Sequence, residues 1–217
     1  MSKTVVIHQP DFLPYLGFFH RFLYANLWVI LDDVQFMRGT SRSWQNRDIL
    51  KTPYGEKWIT VGTRKCPMST KINEVFLSDD GWEKKSLNLI VESYKKTPFF
   101  DEIMPYIEKL YTHNCKKMID FNLNSITMLM ELFDIKIESV FASSLPVAGQ
   151  KNDRLINILI KVDATTYLSG TGSKGYLNPV LFEGAGIKVV WQDFNHPVYR
   201  QVLVNTILFQ PEPLSRK

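Results

Sequence analysis

The amino-acid sequence predicts an α/β fold in which helices flank a mostly parallel central sheet. Short apolar runs rich in β-branched residues alternate with helix-like stretches in the first and last thirds of the chain, which is the pattern of parallel strands joined by helices. The middle third carries three successive apolar stripes at helical spacing, so a helical insertion or subdomain is expected around residues 80–134. With 217 residues and 45% hydrophobic content, the chain can bury a full core, and a single domain over residues 1–217 is predicted.

The chain begins with a predicted strand, loop, helix and second strand. Residues 4–7 form a β-branched run that stops before Pro10, which favours a short buried strand. Pro14 suits the first turn of a helix, and the apolar residues that follow at helical spacing are Leu16, Phe19 and Leu23. Residues 27–31 are the next apolar run. Because a helix joins the two strands, they are expected to be parallel.

A functional loop and one further strand are predicted next. Residues 36–47 have little apolar periodicity but contain three arginines and a tryptophan, which is typical of a loop that contacts a ligand. Residues 57–61 form a strand after a turn signal at residues 52–55, and the pattern leaves the direction of its pairing open.

Three helices and a return to the α/β pattern complete the chain. Asp80 and Glu83 resemble a capping box, which makes Asp80 the predicted N-cap of the first helix. The three apolar stripes are Trp82, Leu89, Ile90 and Tyr94; Phe99, Ile103, Ile107, Leu110 and Tyr111; and Ile119, Leu123, Ile126, Met130 and Phe133. Strands are then predicted at residues 137–141, 166–168 and 187–191, with a helix over residues 153–162 started by Asn152.

Composition argues against several classes of function. The 26 Lys and Arg residues against 22 Asp and Glu residues give a net charge of +4, without the clustered basic excess of a DNA-binding protein. Cys66 and Cys115 lack CxxC or Cys/His ligand spacing, so neither a disulfide framework nor a metal site is predicted. The sequence has neither an apolar run of membrane-spanning length nor the apolar core of a signal peptide, and a cytoplasmic location is expected.

His8 and Gln9 are the first candidate site residues, because they follow the first strand and precede a helix N-terminus. Ligands gather at the carboxyl ends of parallel strands, and helix N-termini favour phosphate or carboxylate groups. His8 is therefore a candidate hydrogen-bond donor or general acid/base. The alternative is a loop histidine that is satisfied by backbone carbonyls.

Asp32 and Asp33 follow the second strand and are expected at the same edge of the sheet. One carboxylate could accept a proton from an amine or hydroxyl group, or bind a cation, while its neighbour points away. Capping of the following loop by both residues is the commoner use of aspartate at such a place.

Two loop motifs are candidates for ligand binding. R-G-T-S-R-S-W-Q-N-R, residues 38–47, combines arginine forks that grip phosphate with an indole that stacks on a base or sugar and amides that bond ring hydroxyls, which suits a nucleotide-linked sugar. Y-L-S-G-T-G-S-K-G-Y, residues 167–176, has small residues that let backbone N–H groups approach an anion, and Lys174 adds a charge. A solvated basic loop and a generic turn are the respective alternatives.

With these motifs assembled, the chain resembles the WbqC-like family, which is found among bacterial genes for O-antigen and other surface polysaccharides. The resemblance rests on I-H-Q-P-D-F-L-P-Y-L-G-F-F, L-D-D-V-Q-F, S-W-Q-N-R and Y-L-S-G-T-G-S-K-G-Y-L, in that order along the chain. It spans nearly the whole chain, although residues 202–217 follow the family pattern poorly.

The resemblance implies a role in tailoring a nucleotide-linked amino sugar, by transfer of an acyl or aminoacyl group such as glycyl from an unidentified donor. The candidate catalytic residues are His8, Asp33 and Asp32. The candidate substrate-binding residues are Gln9, Tyr15, Gln35, Arg42, Trp44, Gln45, Asn46, Arg47, Ser169, Gly170, Lys174 and Tyr176. The sequence identifies no cofactor and no oligomeric state. Two alternatives are a nucleotidyltransferase-like enzyme, by analogy of fold, and a non-catalytic nucleotide-sugar-binding module.

Overall fold

The computed structural model describes residues 2–37 and 43–197, which form two compact units. Unit 1 comprises residues 2–9, 17–33 and 135–196, and unit 2 comprises residues 10–16, 34–37, 43–134 and 197. The helices and strands, in chain order, are β1 (Thr4–His8), α1 (Leu16–Phe22), β2 (Leu27–Ile30), β3 (Arg47–Thr52), β4 (Gly55–Thr60), α2 (Trp82–Tyr94), α3 (Phe100–Thr112), α4 (Met118–Leu132), β5 (Glu138–Phe141), α5 (Lys151–Lys161), β6 (Thr166–Ser169), α6 (Pro179–Gly184) and β7 (Lys188–Trp191). The single domain over residues 1–217 and the subdomain at residues 80–134 stay predictions.

Unit 1 contains a five-stranded sheet with the strand order β5-β2-β1-β6-β7. Each strand is parallel to its neighbours. The predicted α/β fold with a mostly parallel sheet is therefore confirmed, as is the parallel pairing of the first two strands. Strands β2 and β5 lie on one side of β1, and the chain then returns to add β6 and β7 on the other side of β1. This reversal is the arrangement of doubly wound nucleotide-binding folds.

Helices cover both faces of this sheet, which explains why β1 and β2 are apolar without alternation. On one face, Val5 and Ile7 belong to a buried cluster that also contains Ile158 of α5 and Phe182 of α6. On the other face, the rings of Phe18 and Phe22 from α1 contact the indole of Trp28, with centroid distances of 5.7 and 5.0 Å. Each such buried apolar side chain stabilises the fold by about 1.5–3 kcal/mol relative to leaving it exposed.

Two helix starts differ from the prediction. The N-cap of α2 is Gly81, at φ 72°, while Asp80 accepts a hydrogen bond from the Trp82 N–H through its side chain. The N-cap of α5 is Gln150, and the Asn152 amide donates to the Tyr176 carbonyl at 3.2 Å. The predicted N-caps Asp80 and Asn152 are thus wrong, because each side chain bonds a backbone group in another geometry. Helix α6 was not predicted, although Asn178-Pro179 is a helix-start signal.

Unit 2 contains an antiparallel hairpin of β3 and β4, which resolves the open pairing of the predicted strand. Strand β3 was not predicted, and the expected loop over residues 36–47 runs into it at Arg47. The reason lies in the alternation of the strand: Asp48 and Leu50 are buried, whereas Lys51 on the other face is partly exposed. Because the solvent face of β3 carries charged residues, its sequence has no continuous apolar run, and the half-buried strand was not recognised.

Helices α2, α3 and α4 of unit 2 share an aromatic core. The ring of Trp82 lies 5.9 Å from that of Tyr111 and 5.0 Å from that of Phe121. The buried face of α4 differs from its predicted stripe, because Leu123 and Met130 are only partly buried while two polar residues, Asn122 and Ser125, are fully buried. Both polar side chains bond backbone carbonyls, which allows them to replace apolar residues there.

Candidate functional site

The strand order reverses between β1 and β6, and ligands of open α/β sheets bind at the carboxyl ends of the strands on either side of such a reversal. β1 pairs with β2 over four residue pairs, from Val5 to His8, whereas its register with β6 comprises two pairs, ending at Val5 with Tyr167. The two strands therefore separate toward their carboxyl ends. Those ends carry His8-Gln9 and Ser169-Gly170, which sequence analysis had chosen independently.

His8 is held as a neutral imidazole in one orientation. Its Nδ1 lies 2.8 Å from the Gln9 carbonyl oxygen, and because a carbonyl only accepts, Nδ1 carries the proton and Nε2 is the acceptor. The ring meets Phe18 edge to face with 5.1 Å between centroids. Burial, and after it the charge of Arg21, lowers the pKa of His8 from 6.5 to about 3. The residue is thus an acceptor at neutral pH and does not carry a charge of its own.

Arg21 of α1 is a site residue that sequence analysis missed. It is 3% exposed, and its Nη1 lies 3.6 Å from the position that a Cβ at residue 170 would occupy. The guanidinium also lies 5.6 Å above the ring of Phe18. A buried cation beside Gly170 and His8 places positive charge at the separated strand ends. The available signal was an arginine among aromatic residues of a predicted apolar helix.

Gln192, directly after β7, was also missed. Its backbone N–H donates to the Ser169 carbonyl at 2.8 Å, and its side-chain amide donates to the Gly17 carbonyl at 2.7 Å. Its Oε1 lies 3.9 Å from the position of a Cβ at residue 170. Gln192 therefore fixes the end of β6 relative to α1 and faces the same glycine as Arg21. It lies outside the predicted strand 187–191, where the sequence gives no periodic signal.

Hydroxyl groups hold the loop after β6 in shape. Ser173 Oγ donates to the Gly170 carbonyl at 2.7 Å, so Ser169 Oγ donates in turn to Ser173 Oγ, also at 2.7 Å. Tyr167 hydrogen-bonds Ser169, and burial raises the pKa of Tyr167 to about 12. Lys174 is exposed, with its ammonium 5.7 Å from the ring centroid of Trp191. The predicted ligand contacts of Ser169, Gly170 and Lys174 stay predictions, as does that of Tyr176, which is 68% exposed.

The two aspartates after β2 are each fixed by a partner. Asp32 is 3% exposed, and its carboxylate accepts a hydrogen bond from the Ser143 N–H at 2.9 Å. Both oxygens of the Asp33 carboxylate accept from Nη2 of Arg154, at 2.5 and 2.6 Å. In a base role, Asp33 would have to break this ion pair. The catalytic roles of both aspartates stay predictions.

The three candidate amides of unit 2 bond backbone groups. Gln45 is 2% exposed, its Oε1 accepts from the Met37 N–H at 2.7 Å, and its Nε2 donates to the Gln35 carbonyl at 3.4 Å. Asn46 donates to the Val61 carbonyl at 3.2 Å, and Gln35 donates to the Met68 carbonyl at 2.7 Å. These backbone bonds explain how the three amides are held, and the explanation does not require a ligand. Their substrate contacts stay predictions.

Trp44 and Arg47 each contact Trp58 of the β3–β4 hairpin. The guanidinium carbon of Arg47 lies 4.0 Å from the ring centroid of Trp58, and the rings of Trp44 and Trp58 lie 5.8 Å apart. Tyr15 of unit 2 is 37% exposed. Arg42 lies outside the described residues, as do residues 202–217, in which the family pattern weakens.

Neither a metal cluster nor a membrane-spanning helix is found within residues 2–37 and 43–197. No group of three or more His, Cys, Asp or Glu side chains in these ranges could hold a metal ion. No helix in the same ranges is long and apolar enough to cross a bilayer.

Comparisons with known proteins agree on one relationship. A model of the WbqC-like protein family matches residues 9–212 of the chain. The chain is similar to the uncharacterized protein Rv1507c of Mycobacterium tuberculosis (strain ATCC 25618 / H37Rv), with 27% identity over 195 residues that cover 89% of this chain and 83% of that protein. No solved structure matches the chain.

Proposed function

Because this chain belongs to the WbqC-like protein family, we propose that it is a tailoring enzyme of bacterial surface-glycan biosynthesis. It transfers an acyl or aminoacyl group, such as glycyl, to the amine of a nucleotide-linked amino sugar. The observation that carries this proposal is the reversal of strand order between β1 and β6, with buried Arg21 beside Gly170 at the separated strand ends. The carboxyl ends of the strands at such a reversal are where doubly wound folds bind nucleotides.

Arg21 is the residue we assign to the phosphates of the nucleotide. Its guanidinium is buried, and a charge-assisted contact to phosphate is stronger in such surroundings than in water. The absence of a side chain at Gly170 lets a ligand approach this cation along the backbone. Gln192, bonded to both Ser169 and Gly17, keeps the end of β6 in place relative to α1.

His8 is the residue we assign to the proton of the sugar amine. The amine nitrogen attacks the carbonyl carbon of the donor, a C–N bond forms, and the bond to the leaving group breaks. The amine proton passes to the His8 Nε2 lone pair and from there to the departing group. Because the pKa of free His8 is lowered to about 3, the imidazole starts in the unprotonated form that this step requires. An anionic ligand next to the ring would raise this pKa and make His8 a stronger base.

A non-catalytic nucleotide-sugar-binding module is a second candidate, and the same pKa favours it. An imidazole with a pKa of about 3 is a weak base in the free protein. In this case His8 would only accept a hydrogen bond from the ligand. The two functions differ in what a change at His8 does to turnover and to affinity.

The test begins with thermal unfolding in the presence of nucleotides, nucleotide-linked 4-amino sugars and acyl donors. A ligand that binds the native state raises the melting temperature. We expect a nucleotide-linked amino sugar to do so in the wild type and in His8→Gln, and to do so weakly in Arg21→Met. Lys161→Met, which removes an exposed cation of the same unit, is the matched control and should behave as the wild type.

Turnover with the stabilising sugar then separates the two candidates. His8→Gln should lower acyl transfer by about 100-fold or more while affinity is kept, because general-base catalysis contributes that much. The binding module would be favoured if His8→Gln bound the sugar more weakly than the wild type does and the wild type showed no turnover with any activated acyl donor. If no compound of the panel raises the melting temperature of the wild type, the nucleotide assignment is wrong for both.

A further inference from the structure

The outer face of the β3–β4 hairpin carries a cluster of aromatic and cationic side chains, in which Trp58 contacts Trp44 and Arg47, two residues that sequence analysis had already chosen. Ile49 pairs with Trp58, and Arg47 pairs with Thr60 two positions along, so these side chains project from one face of the hairpin. The opposite face carries Leu50 and Ile59, which are 1% and 2% exposed. The hairpin thus uses one face for the core of unit 2 and presents the other outward.

Two indoles and a guanidinium are in contact on this outer face. The rings of Trp44 and Trp58 lie 5.8 Å apart and are tilted by 32° to each other. The guanidinium carbon of Arg47 lies 4.0 Å from the Trp58 ring centroid, well within the range of a cation–π contact. Trp58 nevertheless stays 43% exposed. We call Trp44, Arg47 and Trp58 the indole platform.

We propose that the indole platform binds the pyranose ring of a sugar. The C–H groups on one face of a pyranose form a flat apolar surface that packs on an indole ring, and two slightly tilted indoles offer a shallow surface of that size. The guanidinium of Arg47 adds a flat cationic group to this surface. The inference rests on the proposed function only in taking the ligand to be a sugar.

The contacts within the indole platform also favour binding, because they hold the Trp58 ring in place before a ligand binds. An exposed tryptophan on a mobile side chain loses rotamer freedom when a ligand packs on it, and this loss weakens binding. Trp58 already contacts Arg47 on its face and Trp44 beside it. Little further ordering is therefore needed. Tyr54, in the turn of the same hairpin, is 90% exposed and serves as the control aromatic residue for Trp58.

The experiment measures binding of two probes by ligand-observed NMR, with the full chain. The probes are the methyl glycoside of N-acetylglucosamine, which has no base, and uridine monophosphate, which has no pyranose. We expect the glycoside to bind the wild type and Tyr54→Ala equally, and Trp58→Ala about tenfold or more weakly. Trp58→Phe should recover part of the loss. The melting temperature of each variant without ligand shows that it is folded.

Three results would overturn the platform: no binding of the glycoside to the wild type, equal binding to the wild type and Trp58→Ala, or displacement of the glycoside by uridine monophosphate. The last result would mean that the surface stacks a base. These outcomes are separate from those of the proposed function, which depends on Arg21 and His8. If a nucleotide-linked amino sugar stabilises the wild type but the glycoside binds the wild type and Trp58→Ala equally, the platform fails while the proposed function stands.

Discussion

Unit 1 and unit 2 both bury polar side chains, but they satisfy them differently. In unit 1, Tyr167 bonds Ser169 and Ser169 bonds Ser173 at the carboxyl end of β6, beside a buried cation, and this series of side chains ends on the Gly170 carbonyl. In unit 2, Gln45 and Asn122 bond backbone groups. An amide whose partners are backbone groups already has a structural reason to be buried. Side chains that bond one another at a strand end are better candidates for ligand chemistry, since backbone partners explain only some of their bonds.

The largest expected effect tests the structural role of the amides of unit 2. Asn122 is 0% exposed, and its Nδ2 donates to the carbonyls of Pro10 and Gln45 at 2.8 and 2.6 Å. Asn122→Ala leaves both carbonyls without this donor, so we expect the free energy of unfolding to fall by about 3 kcal/mol. Urea denaturation measures this change. Thr127→Ala, an exposed change on the same helix, is the control and should have little effect.

A small stability change in Asn122→Ala combined with lost ligand affinity would break the comparison. It would mean that the buried amides of unit 2 serve ligand binding after all. The reverse, a large stability change with unaltered affinity, would support the structural assignment.

The next effect concerns His8 in unit 1. Its pKa is 6.5 when unfolded and about 3 in the native state. Between these values the unfolded chain binds a proton that the native protein does not, so stability falls as the pH is lowered through this range. From pH 7 to pH 5 this single site should lower the free energy of unfolding by about 2 kcal/mol.

The measurement compares wild type and His8→Gln by urea denaturation at pH 7 and pH 5. The variant should lose the part of the pH dependence that belongs to His8, while carboxylates contribute equally to both proteins. Identical pH dependence would show that His8 keeps an ordinary pKa. The assignment of His8 as an uncharged hydrogen-bond acceptor that resists protonation would then lose its support.

The smallest expected effect is a change in the reactivity of the Cys115 thiol in unit 2. Burial raises the pKa of the Cys115 thiol, and the Asn124 amide, with its Nδ2 3.3 Å from the sulfur, partly opposes this. Asn124→Ala should raise the pKa further and slow alkylation by iodoacetamide a few-fold, because the thiolate is the reactive form. Cys66 in the same protein is the internal control. Faster alkylation of Cys115 would mean that Asn124 shields the sulfur more than it stabilises the thiolate.

The sequence predicted the parallel sheet well and the hairpin poorly, for a physical reason. β1 and β2 are buried on both faces, so their apolar runs are continuous and easily recognised. β3 is buried on one face and carries Arg47 and Lys51 on the other, which resembles a polar loop. The four motifs that suggested the WbqC-like family were sufficient, since the family model matches residues 9–212.

The candidate site was predicted only where it lies next to a strand end. His8 and Ser169 follow recognisable strands, so topology alone brought them to one edge of the sheet. Arg21 lies on a helix and contributes because of the way that helix packs, which no spacing in the sequence encodes. Trp58 was recognised as a strand residue, but its contact with Trp44 and Arg47 depends on the hairpin register.

The central position of β1 affects the order in which the protein can assemble on the ribosome. Lys3 bonds Thr165 across a separation of 162 residues, and β1 meets its neighbour β6 at the same place. At typical rates of synthesis, roughly ten to thirty seconds pass between the appearance of the two strands. During this interval the β6-facing edge of β1 has no partner strand, while residues 43–134 of unit 2 are synthesised. The unpaired N–H and C=O groups on this edge of nascent β1 therefore need another partner until β6 has been synthesised.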